Sequence, residues 1–95
     1  MKFKDIKFEK RRIGGIQARV ELKDEMILSI VAGEFAYSSP RADFGEPEQF
    51  ESFEIAIIDK DGDFVTREHL AVEHNDVLGW VSREQIEEII ANLAK

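Results

Sequence analysis

From Ile16 to Lys23 apolar and polar residues alternate: Ile16, Ala18, Val20 and Leu22 against Gln17, Arg19, Glu21 and Lys23. A period of two is that of a strand with one buried face. Asp24 and Glu25 break the alternation, and Met26 to Val31 resumes as an apolar, β-branched run. That predicts a hairpin with a short loop at residues 24–25. In the second of these strands Ile27 and Val31 compete with Met26, Leu28 and Ile30 for the core. Two apolar faces predict a central strand covered on both sides.

The flanking segments are less regular. Phe3 to Phe8 reads as a first strand with Ile6 and Phe8 on one face, and Gly14-Gly15 reads as a turn after it. The first three strands therefore form a meander. Residues 37–49 are punctuated by Ser38-Ser39-Pro40, Asp43-Phe44-Gly45 and Pro47, which predicts a loop of about thirteen residues, longer than most connections. Phe53 to Ile58 alternates again. Asp59-Lys60-Asp61-Gly62-Asp63 supplies a hairpin turn, since Asp-Gly tolerates positive φ, and Phe64 to Thr66 is expected to return as the partner strand.

The pattern then changes period. Ile86, Ile89, Ile90 and Leu93 fall at i, i+3, i+4 and i+7, an apolar helical stripe, with Arg83, Glu84, Glu87, Glu88 and Asn92 on the opposite face. Ser82 is placed as N-cap, Gln85 completes a capping box, and Val81 is positioned to staple onto Ile86. A helix of about twelve residues is marginal alone, so its stripe must be buried on the sheet. The fold class is α+β: an antiparallel, meander-like sheet of about five strands packed against one C-terminal helix. Ninety-five residues make a single domain spanning 1–95.

Composition narrows the chemistry. There is no cysteine, which excludes disulfides, thiolate metal sites and a cysteine nucleophile and favours a cytoplasmic location. The N-terminus lacks the apolar stretch of a signal peptide, and the longest apolar run, residues 26–32, is far short of the roughly 20 residues of a membrane span. The net charge of −7 conceals an asymmetry. Residues 1–23 hold eight Lys/Arg against three acids, whereas residues 24–95 hold five against seventeen. So acidic a surface is a poor partner for nucleic acid in general, because phosphates must be neutralised by basic side chains.

No catalytic constellation emerges. Asp59, Asp61 and Asp63 match the first three ligand positions of a calcium loop, but Phe64 stands where the loop requires Gly and Leu70 where it requires Glu. A plain hairpin turn is the better reading. His69 and His74 are five apart, which suits neither a helical zinc pair nor a known catalytic spacing, although Glu68, Glu73 and Asp76 lie close in sequence. Ser38, Ser39 and Ser82 lack a nucleophile elbow, and Gly14-Gly15 does not open a phosphate-binding helix. Neither a cofactor nor a bound metal is expected.

Recognition is better supplied. The loop offers Tyr37, Arg41 and Phe44, residue types enriched at binding hot spots. Tyr37 or Phe44 would alternatively fold back over the core. Lys7 to Arg12, with Lys7, Lys10, Arg11 and Arg12, forms a basic arm that could meet a partner's phosphates, or simply a charged edge that deters strand-to-strand aggregation. Trp80, just before the helix cap, is expected to lid the core.

Phe53 to Phe64 followed by Asp76-Val77-Leu78-Gly79-Trp80-Val81-Ser82-Arg83-Glu84-Gln85-Ile86 resembles small uncharacterised proteins encoded by bacteriophages and prophages, as do the Gly15–Ala32 hairpin and the Tyr37–Arg41 loop. The resemblance implies a phage accessory protein and transfers no catalytic residue. The leading expectation is a small acidic, non-enzymatic protein of the host cytoplasm that binds or inhibits a host protein, in one variant by occupying its basic, nucleic-acid-binding site. The alternatives are a nucleic-acid-binding module using the basic arm and a metal-dependent enzyme around His69 and His74. A homodimer through an exposed sheet edge is a further expectation.

Overall fold

A computed structural model describes residues 1–70 and 76–94. Five strands follow one another across a single sheet: β1 (Glu9–Lys10), β2 (Ile16–Glu21), β3 (Ile27–Ala32), β4 (Phe53–Ile58) and β5 (Leu78–Val81). Each is antiparallel to its neighbour, as a meander requires. A short helix α1 (Thr66–His69) precedes β5, and α2 (Arg83–Leu93) follows it.

The alternation in β2 is realised residue by residue: Ile16, Ala18 and Val20 are buried, while Gln17, Arg19 and Glu21 are exposed. Across the ladder Ala18 faces Ile30 and Val20 faces Leu28, and Ile30 in turn faces Ile55 of β4. Ile86 and Ile90 of α2 join this same apolar cluster, with Ile89 and Leu93 packed at its margin. Ser82 caps α2 as its sequence demands: its Oγ accepts from Gln85 N–H at 3.1 Å and Gln85 Oε1 accepts from Ser82 N–H at 2.9 Å. Both partners of the staple, Val81 and Ile86, are buried in the cluster.

Three expectations are corrected. Phe3 to Phe8 is not a strand. Phe3–Asp5 is a 3₁₀ turn that puts Phe3 and Ile6 into the core one turn apart, and only Glu9 and Lys10 pair with β2. The aromatic side chains decide this. Phe3 and Phe53 meet at 5.2 Å and Phe8 and Phe53 at 5.9 Å, an aromatic cluster that a flat strand with Phe3 and Phe8 on opposite faces could not form. Second, Phe64 to Thr66 makes only an isolated bridge, Ile58 to Phe64, before Thr66 enters α1. The buried Thr66 hydroxyl accepts from Ile57 N–H at 2.9 Å, so a side chain takes over where the strand would have continued. The remaining edge of β4 is filled by β5 instead. Third, β3 is fully covered on one side and only partly on the other. Leu28, Ile30 and Ala32 are fully buried, while Ile27, Ser29 and Val31 on the outer face are only partly buried.

Arg83 also departs from the solvent face assigned to it. Its guanidinium donates to the carbonyls of Pro47 (3.0 Å) and Phe50 and lies over the rings of Phe3 (5.5 Å) and Phe53 (5.7 Å). It pins the long loop to the start of α2. Among the described residues no helix is long and apolar enough to cross a membrane.

Candidate functional site

In β5 both Leu78 and Val81 turn toward the core, Val81 buried and Leu78 packed at its margin. Two core positions three residues apart do not fit a period of two, so the strand must take up one extra residue. The register shows where. Val81 pairs with Phe53 and Leu78 with Ile55, leaving Gly79 and Trp80 to face the single residue Glu54. The bulge puts Trp80 in the left-handed region at φ 52 and leaves the residue 58% exposed. A bulky residue in that conformation is an outlier. Trp80 is thus no lid on the core, as the sequence led us to expect, but a ring held out into solvent.

The neighbouring loop is built onto this bulge. Trp80 N–H donates to the Tyr37 carbonyl at 2.9 Å, and Tyr37 N–H donates to Glu54 Oε1 at 3.0 Å. Gly79 makes the approach feasible, because a Cβ there would lie 2.7 Å from Tyr37 Cβ. The Tyr37 and Trp80 rings then stack with centroids 5.4 Å apart and planes tilted by 37°. Arg41 reaches back so that its guanidinium carbon sits 5.8 Å from the Tyr37 ring centroid. Beneath them Ser38 is buried, its Oγ accepting from Gly33 N–H at 3.0 Å, and Ser39 bridges to Ser52. The platform therefore stands on an anchored segment.

The predicted contact residues divide. Tyr37 and Arg41 are brought together, and Trp80 and Glu54 complete their group. Phe44 folds back, its ring edge-on to the buried Phe50 at 5.7 Å. Lys10 is engaged by Asp43, whose carboxylate also accepts from Gly15 N–H at 2.9 Å. The hydrogen bonds from Lys10 and from the Gly15 backbone hold the Asp43 carboxyl below its ordinary value. Arg11 and Arg12 follow β1, at the far edge of the sheet from β5. Four inter-strand spacings of roughly 4.8 Å separate those edges, about 19 Å.

At the other end of the sheet, Asp59 Oδ1 accepts from Asp61 N–H (3.0 Å) and Asp63 N–H (2.9 Å), and Gly62 takes φ 88. The segment is a self-bonded turn. Among the described residues no group of three or more His, Cys, Asp or Glu side chains is arranged to hold a metal ion. His74 and Glu73 lie outside the described residues.

Sequence reasoning missed Trp80, Glu54 and Arg83. The signal for Trp80 was the three-residue spacing of Leu78 and Val81 around a glycine, which in a strand points to a bulge. No protein-family model, curated protein or solved structure matches the chain.

Proposed function

We propose that this domain is a non-enzymatic interaction module that docks a partner protein on the Tyr37–Trp80 platform. The observation that carries the reading is Trp80 itself: a large ring, mostly exposed, on a backbone conformation that disfavours it. Strain of this kind persists where the surroundings enforce it, and it gathers at functional sites. Trp and Tyr are also the residues that most often dominate binding energy. The basic arm has weaker support as a contact for nucleic acid, since Lys10 is already neutralised by Asp43. On the resemblance to phage accessory proteins, the partner is a host protein met in the cytoplasm.

Capture from host lysate with the full chain, Trp80→Gly and Arg11→Ala/Arg12→Ala tests this. A partner held by the full chain and by the arginine variant, and lost with Trp80→Gly, is the expected result. Equal capture by Trp80→Gly would move the interface elsewhere.

A further inference from the structure

The platform also carries information about the chemistry of its occupant. Resting on the reading of Tyr37 and Trp80 as a docking surface, we propose that they receive a cationic side chain, foremost an arginine, from a basic segment of the partner protein, and that Arg41 is the internal cation it displaces.

Two independent observations lead there. The first is that one cation is already on the platform: the Arg41 guanidinium over Tyr37 at 5.8 Å. That is the attraction between positive charge and the negative face of an aromatic ring, and a Trp face is a better acceptor than a Tyr face. Trp80 contacts Tyr37 at 5.4 Å yet remains 58% exposed, so the stronger of the two faces is open to a ligand. The second is charge. Residues 33–54 contain six acids (Glu34, Asp43, Glu46, Glu48, Glu51 and Glu54) and a single base, Arg41, and of these acids Glu51 is tied by its backbone N–H to the Ser39 carbonyl, two residues from Tyr37. Asp43 is occupied by Lys10, but Glu54 lies directly under Tyr37, its Oε1 accepting the Tyr37 N–H. Two aromatic rings with the Glu54 carboxylate beside them, on a loop rich in acids, favour cations over phosphate. A basic peptide segment fits; a nucleic-acid strand does not.

The test uses the full chain and needs no label, because Trp80 is the sole tryptophan. An oligo-arginine peptide titrated at low ionic strength is expected to change Trp80 fluorescence saturably, with oligo-lysine weaker, since the planar guanidinium stacks better on a ring. Affinity measured by calorimetry should fall about tenfold in Trp80→Gly and rise roughly threefold in Arg41→Ala, which frees the Tyr37 face. Added salt should weaken binding in all forms. Binding without a fluorescence change, or equal binding by Trp80→Gly, would reduce the effect to attraction toward an acidic surface and overturn the proposal. So would binding of oligo-glutamate or of single-stranded oligo-dT in place of the cationic peptides. The two readings fail separately. If oligo-arginine does not bind but lysate capture still depends on Trp80, the platform stands and its cation is lost; if capture ignores Trp80, the docking surface itself is wrong.

Discussion

The two ends of the sheet put non-glycine residues into the same backbone conformation for different reasons. At the turn end Asp24 and Glu25 take φ 56 and 62 in the tight β2–β3 connection, where Leu22 N–H donates to the Met26 carbonyl at 2.8 Å. A short hairpin requires such values, and Asp tolerates them because its side chain bonds locally. At the loop end Trp80 takes φ 52 with no such help. The first case is turn chemistry and is complete in itself. The second is a cost that no bond to a sequence neighbour offsets, met instead by the distant Tyr37, and it falls on the chain's sole indole, which is left exposed.

Substitutions at four positions break or sharpen that contrast. The largest effect is expected at Gly15, which is packed under the loop end at φ 80 with a Cβ position only 2.0 Å from the Ala32 carbonyl oxygen. Gly15→Ala should cost more than about 3 kcal/mol, because it adds an overlap with backbone to a disfavoured φ. Chemical denaturation reads this directly, and a loss below ~1 kcal/mol would mean that β2 and β3 separate easily there. Next is Arg83→Met, which keeps the apolar stem but removes the donors to Pro47 and Phe50. A loss of about 2 kcal/mol is expected, with faster amide exchange confined to residues 46–50. Smaller still is the difference between Trp80→Gly and Trp80→Ala. Both lose the ring, but only alanine keeps the Cβ that the left-handed region penalises, so the glycine variant should be the more stable by ~1–2 kcal/mol. The reverse order would show that the bulge is unstrained.

The smallest effect concerns Asp43. Its folded carboxyl titrates below its unfolded value, so its tie to Lys10 and Gly15 stabilises the fold above the unfolded pKa of about 4 and is lost as pH falls through the folded value. The Tm gap between the natural chain and Asp43→Asn should therefore be constant near neutral pH and close below about pH 4. A gap that persists at low pH would assign the contribution to shape rather than charge.

The parts of the fold that were legible in the sequence are those where one residue period runs uninterrupted. The alternation of Ile16 to Leu22 and the stripe Ile86–Ile89–Ile90–Leu93 each repeat long enough to set a face, and Ser82 with Gln85 marks a helix start by hydrogen bonds that are local in sequence. Asp59 to Asp63 is equally self-contained. The rest depends on contacts distant in sequence. Phe3 leaves the strand conformation because Phe53 is there to receive it, and Thr66 ends a strand because its hydroxyl finds Ile57. Arg83 looks like any exposed residue in a helix's first turn until Pro47 and Phe50 present carbonyls to it. At the candidate site Tyr37 and Arg41 were visible as residue types, but Trp80 was hidden by a bulge of a single residue, which turned an expected core side chain outward.

The contacts between α2 and the Phe3 turn are unlike the rest. Every strand pairs with the next along the chain, so most of the sheet can assemble by closing short loops. Phe3 N–H, however, donates to Glu87 Oε2 at 2.6 Å, joining residues 84 positions apart, and α2 packs on the Phe3–Asp5 turn. Closing so long a loop is entropically the most demanding step in the molecule. Docking of α2 should accordingly come late in folding, after the hairpins have formed. Met1 and Ala94 also line one surface hollow, so a short linker between them, with the chain opened at the exposed Gly62 turn, makes a feasible circular permutant. In such a chain the helix and the Phe3 turn would become sequence neighbours, and their docking would change from the last event to one of the first.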